Sequence, residues 1–90
     1  MSQGSYRLSA RKAAQKQLAN LPFEEMLRIA EAISSLADDP RPEGNEKLEG
    51  TDDGFRIRIG GYRVVYRVDD KERHVKVTDV VPRKDAYRKF

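Results

Sequence analysis

The stretch GFRIRIGGYRVVYRV, residues Gly54 to Val68, sets four arginines within twelve positions among apolar neighbours. Phe55, Ile57 and Ile59 alternate with Arg56 and Arg58, and beyond Gly60-Gly61 the residues Tyr62, Val64, Tyr66 and Val68 alternate with Arg63, Val65 and Arg67. A period of two marks strands, and the Gly-Gly pair supplies the positive-φ residues of a two-residue hairpin turn. Such a turn pairs Ile59 with Tyr62, Arg58 with Arg63, Ile57 with Val64 and Arg56 with Val65, and directly paired residues share a face. One face is then Phe55, Ile57, Ile59, Tyr62, Val64, Tyr66 and Val68, a core face. The other gathers Arg56, Arg58, Arg63, Val65 and Arg67.

Gathering like charge across a strand pair is destabilising, by about a few tenths of a kcal/mol for each facing pair. Arginines on a solvated face can lie over apolar surface or pair with carboxylates. The hairpin itself offers few acids, with Asp69 and Asp70 at its far turn. Phosphate is the better neighbour, because the guanidinium fork binds two of its oxygens at once. That is an argument for binding and not yet for catalysis.

Outward from the hairpin, SYRLS reads as a first strand, and Ser9 as the cap of a helix through ARKAAQKQLAN. Leu21-Pro22 ends that helix. Met26, Ile29, Ala30, Ile33, Leu36 and Ala37 then follow helical spacing, with Glu24 and Glu25 in the first turn, where the helix dipole favours anions. DDPRPEGN is a loop. After the hairpin, DDKER is a second turn and HVKVTDVV a third alternating strand, in which regular alternation puts Asp79 on the apolar side unless a bulge intervenes. The order β-α-α-β-β-β predicts an α+β domain: an N-terminal strand, a two-helix hairpin and a mostly antiparallel sheet, with a short helical segment after Pro82.

Ninety residues are expected to form one domain over 1–90, too small for a deeply enclosed pocket, so a site belongs on an open face. There is no cysteine and His74 is the single histidine, which excludes disulfides, thiolate metal sites and multi-histidine metal sites. His74 reads as a surface residue. Neither a signal peptide nor a membrane span is legible, and a soluble cytoplasmic protein without membrane, metal or cofactor is the expectation. Net charge is +3, but residues 1–53 carry seven Lys/Arg against ten Asp/Glu and residues 54–90 carry eleven against five. The basic second half points to a polyanionic partner.

KLEG (Lys47 to Gly50), FRIRIGGYRVVYRV and the closing PRKDAY resemble the RelE toxins of bacterial toxin–antitoxin pairs, over nearly the whole chain. The resemblance implies a ribosome-dependent endoribonuclease that cuts mRNA in the ribosomal A site without a metal. The 2′-hydroxyl attacks the adjacent phosphate, leaving a 2′,3′-cyclic phosphate and a free 5′-hydroxyl. By the same resemblance Arg56 and Arg58 stand where RelE has lysines, Arg63 holds the scissile phosphate, Arg83 assists the leaving group and Tyr87 stacks on or orients the nucleotide. Arg67, Lys84 and Arg88 are implied RNA contacts, and a RelB-like or other antitoxin, encoded adjacently, is the implied partner beside ribosome and mRNA. Read without the resemblance, Arg83 is a surface charge and Tyr87 a partly buried terminal aromatic. Two departures stand out. Arginine at 56 and 58 stays protonated and cannot act as a base, so another group takes the 2′-proton or catalysis is mostly electrostatic. Some relatives place a histidine where this chain has Pro82. The same fold also hosts ParE-type toxins that act on DNA gyrase, a non-catalytic module that binds RNA or a partner through the basic face is a further alternative, and fold alone does not choose between them.

Overall fold

The computed structural model describes residues 6–84. Its elements are β1 (Arg7–Ala10), α1 (Lys12–Ala19), α2 (Phe23–Ser35), β2 (Glu46–Lys47), β3 (Gly54–Ile59), β4 (Tyr62–Asp69) and β5 (His74–Pro82). The strands form one sheet in the order β1-β5-β4-β3-β2, antiparallel except for β1, which runs parallel to β5. This is the expected α+β order with one added element, the two-residue edge strand β2. Two residues carry no periodicity to read.

The hairpin pairs as its alternation requires: Ile59 with Tyr62, Arg58 with Arg63, Ile57 with Val64 and Arg56 with Val65. Its turn differs in detail, because only Gly60 takes a positive φ, +61°. That sign pattern belongs to a type II′ turn, which requires it at the first central residue alone. The apolar face of the sheet packs under the helical hairpin. Ala14 of α1 and Ile29 of α2 meet Phe55, Val64, Tyr66, Val68, Val75, Val77 and Val80, with Leu18, Leu21 and Ile33 partly buried against them. The Tyr66 hydroxyl, fully buried, donates to the Pro40 carbonyl at 2.8 Å and so ties the loop after α2 to the centre of the sheet.

Ser9 does not cap α1. It lies in β1, opposite Lys76, and its Oγ meets His74 Nε2 at 2.8 Å. The strand continues to Ala10, the Arg11 N–H donates to the Val77 carbonyl, and Arg11 takes the N-cap position without a side-chain cap. The parallel ladder to β5 has taken up the backbone that a serine cap needs. His74 is half-buried by the same contact.

Asp79 is kept off the apolar face by a bulge. Val65 faces Asp79 while Tyr66 faces Val77, so Thr78 is the extra residue. Val77 and Val80 both reach the core, and Asp79 turns away to accept from Arg11 Nη2 at 3.3 Å and Gln17 Nε2 at 3.4 Å. Past the bulge, β5 ends beside the hairpin turn, where the Arg83 N–H donates to the Gly61 carbonyl at 2.9 Å. Residues 83–84 begin a helical turn. The rest of the expected C-terminal helical segment lies outside the described residues.

Candidate anion-binding site

The strand register brings the expected arginines to one face of the sheet, but not into open solvent together. Arg63 is 6% exposed and directly cross-strand from the exposed Arg58. Arg56 is half-buried, and Arg67 is exposed further along β4. Val65, Asp79 and Val81 on this same face are buried, so the surface is a set of guanidinium groups bedded among covered residues.

Carboxylates that the hairpin does not contain come from the segment before it. The register of β2 sets Glu46 opposite Arg56. Glu46 Oε1 accepts from Arg56 Nε at 2.8 Å and from Arg63 Nη1 at 3.3 Å. The hydrogen bond from Arg56, with its charge, and then Arg63 hold the Glu46 carboxyl below the usual glutamate range. Asp53 accepts from Arg67 Nη1 at 2.9 Å. Arg58 has no carboxylate partner among the described residues, and with Gly44, Glu46 and Arg63 it lines an open pocket of about 290 Å³.

The loop that aims Glu46 is built by local rules. Gly50 turns the chain at φ +79°, and Thr51 Oγ1 donates to the Leu48 carbonyl and accepts from the Gly54 N–H. A Cβ on Gly54 would lie 2.7 Å from Thr51 Oγ1, so glycine is required at that approach. KLEG followed by Gly54 therefore encodes the return that lays β2 against β3. Glu46 and Asp53 are the carboxylate partners of Arg56, Arg63 and Arg67, and this return is the sequence signal that leads to them.

The exposed Arg83 and Lys84 lie at the hairpin end of the face and line, with Gly61 and Pro82, a second open pocket of about 430 Å³. Tyr87 and Arg88 lie outside the described residues. Arg56, Arg58 and Arg63 are thus brought together, Arg67 continues the row, and the backbone of Arg83 is fixed to the turn beside them. Fixed guanidinium donors of this kind bind phosphate oxygens and stabilise charge that develops on them.

Residues 8–87 match the family described as "ParE toxin of type II toxin-antitoxin system, parDE", which sets the class: a toxin of a type II toxin–antitoxin system. Solved structures narrow it. The toxin chain of the archaeal RelE–RelB complex from Pyrococcus horikoshii is 36% identical, covering 88% of this chain and 96% of that one, with a TM-score of 0.79. The Escherichia coli RelBE complex gives 29% identity, 86% and 95% coverage and a TM-score of 0.75. The Mycobacterium tuberculosis complex RelBE2 gives 27%, 88% and 92%, and 0.75. The chain belongs to the RelE family of these toxins.

Proposed function

We propose that this toxin is a ribosome-dependent mRNA endoribonuclease acting in the ribosomal A site. The observation that carries the reading is Arg63, a nearly buried guanidinium held on a central strand and flanked by Arg56 and Arg58. In this reading Arg63, with Arg56 and Arg58, holds the scissile phosphate while the 2′-oxygen attacks it. The 2′-proton passes to water, Arg83 neutralises the leaving 5′-oxygen until it takes a proton from water, and Tyr87 stacks on the nucleotide. Arg67, Lys84 and Arg88 track the neighbouring phosphates. Negative charge concentrates on the five-coordinate phosphorus, and each preorganised donor accounts for roughly 2.7–4 kcal/mol of its stabilisation. Stacking of an unpaired base adds about 1–3 kcal/mol. An open face suits a substrate oriented largely by the ribosome. The mRNA and ribosome place its action in the cytoplasm. Solved relatives are complexes of RelE with RelB, which supports an antitoxin partner for this chain as well.

Primer extension on mRNA incubated with purified ribosomes tests the reading. The expected result is discrete cuts within the A-site codon, weakened about 10²- to 10³-fold by Arg83→Ala. Intact mRNA overturns it. The match to a family described as ParE makes inhibition of DNA gyrase the second reading, and loss of gyrase supercoiling activity with intact mRNA is the result that selects it.

A further inference from the structure

The arginine cradle already holds an anion. Glu46 Oε1 takes hydrogen bonds from Arg56 Nε at 2.8 Å and Arg63 Nη1 at 3.3 Å, as a phosphate oxygen does. The two sides of this contact differ in a way that decides which can move. The Arg63 and Arg56 side chains are 7% and 21% exposed and stand on the inner strands β4 and β3. The Glu46 side chain is 57% exposed and stands on β2, a two-residue strand at the edge of the sheet. The Glu46 carboxylate already lies largely in water, so swinging out of the contact costs it little desolvation. A covered guanidinium is costly to leave without an anion. Glu46 is therefore the exchangeable member of the pair, and it lines the same open pocket as Arg58 and Arg63.

We infer that Glu46 is an internal stand-in for the substrate phosphodiester: it occupies the Arg56–Arg63 cradle in the free chain and gives way when an RNA phosphate enters. The inference rests on the RNA-cleaving reading of the arginine face. The exchange keeps both guanidinium groups compensated throughout, and it makes the carboxylate a competitor of the substrate. A phosphate that entered beside Glu46 would meet a like charge within a few ångströms. Neutralising residue 46 should then tighten RNA binding, whereas a residue that merely orients the arginines should weaken binding when changed.

The test is binding of a fluorescent 2′-O-methyl RNA oligonucleotide of roughly ten residues, which cannot supply an attacking hydroxyl, to the full chain at several salt concentrations. Glu46→Gln and Glu46→Ala are expected to bind roughly fivefold to tenfold more tightly, the scale of one near like charge removed. The gain should shrink as salt rises, because the like charge removed is an exposed one that salt screens. Adding Arg63→Ala to Glu46→Gln should abolish the gain. Equal or weaker binding by both Glu46 variants overturns the inference. Arg58→Ala, at an exposed residue whose loss does not threaten folding, separates the two ideas: if it leaves oligonucleotide affinity unchanged, the RNA reading of this face fails, and the stand-in with it.

Discussion

Asp70, at the turn between β4 and β5, accepts from both ends of the Arg41 guanidinium, at 3.2 and 2.7 Å, and from the Tyr6 hydroxyl at 2.7 Å. The Arg73 guanidinium lies over the Tyr6 ring, 4.8 Å from its centroid. The hydrogen bonds from Arg41 and then Tyr6 hold the Asp70 carboxyl below the usual aspartate range, while the bond to Asp70 raises the Tyr6 hydroxyl. A folded value below the unfolded one means that the unfolded chain binds the proton more readily. The stabilisation is thus complete above the ordinary aspartate range and is lost as pH falls through the lower, folded value. Thermal melts should show Arg41→Ala less stable than the parent at pH 7, with the gap closing below about pH 4. Parallel curves would show that the cluster does not act through Asp70. Tyr66→Phe makes a simpler test at the same scale. It strands the Pro40 carbonyl at a buried contact, for an expected loss of about 1–3 kcal/mol. In a domain of this size that lowers Tm by roughly 4–24 °C.

At the scale of elements, the two glycines of the hairpin turn look alike in sequence and differ in structure. Gly60 sits at φ +61° with Arg28 Nη1 3.0 Å from a built Cβ, whereas Gly61 lacks a positive φ and has nothing within 4 Å. The arginine tip can give way, so the backbone decides. Gly60→Ala should cost about 1–2 kcal/mol, and Gly61→Ala should be neutral or stabilising by about 0.4–1 kcal/mol. Urea unfolding of the two variants measures both, and equal losses would refute the type II′ assignment. The same hairpin shows what was legible beforehand. A strict period of two and a Gly-Gly turn fix register locally, so the arginine face could be assigned residue by residue. Ser9 could not be placed, because its fate depends on a parallel ladder to Lys76, more than sixty residues away. Nor could the counter-ions: Glu46 reaches Arg56 only because the chain doubles back across residues 48–53 onto a strand two residues long. The Thr78 bulge lay between these cases. Asp79 on an otherwise apolar face signals a conflict with regular alternation, and a bulge resolves it.

The molecule as a whole separates its charge. The first 53 residues, net −3, contribute β1, the helical hairpin and β2, while residues 54–90, net +6, contribute the three strands that present the arginines. α1 packs with the apolar core against the sheet face opposite the arginines, leaving Lys12 and Lys16 exposed on its outer side. A total of +3 therefore understates the field at one face and overstates it at the other, and salt dependence can tell the two apart. If three to four phosphates are neutralised, log K for a single-stranded RNA oligonucleotide should fall against log salt with a slope of roughly −2 to −3. Arg58→Ala and Lys84→Ala, each at an exposed residue lining a pocket on or beside the arginine face, should each flatten that slope by about 0.7. Lys12→Ala and Lys16→Ala remove the same unit of charge from the outer face of α1 and should leave the slope unchanged. Fluorescence anisotropy titrations at four or five salt concentrations measure all of these slopes. Equal flattening by all four variants would mean that RNA responds to net charge alone, and a localised phosphate site on the sheet would then be excluded.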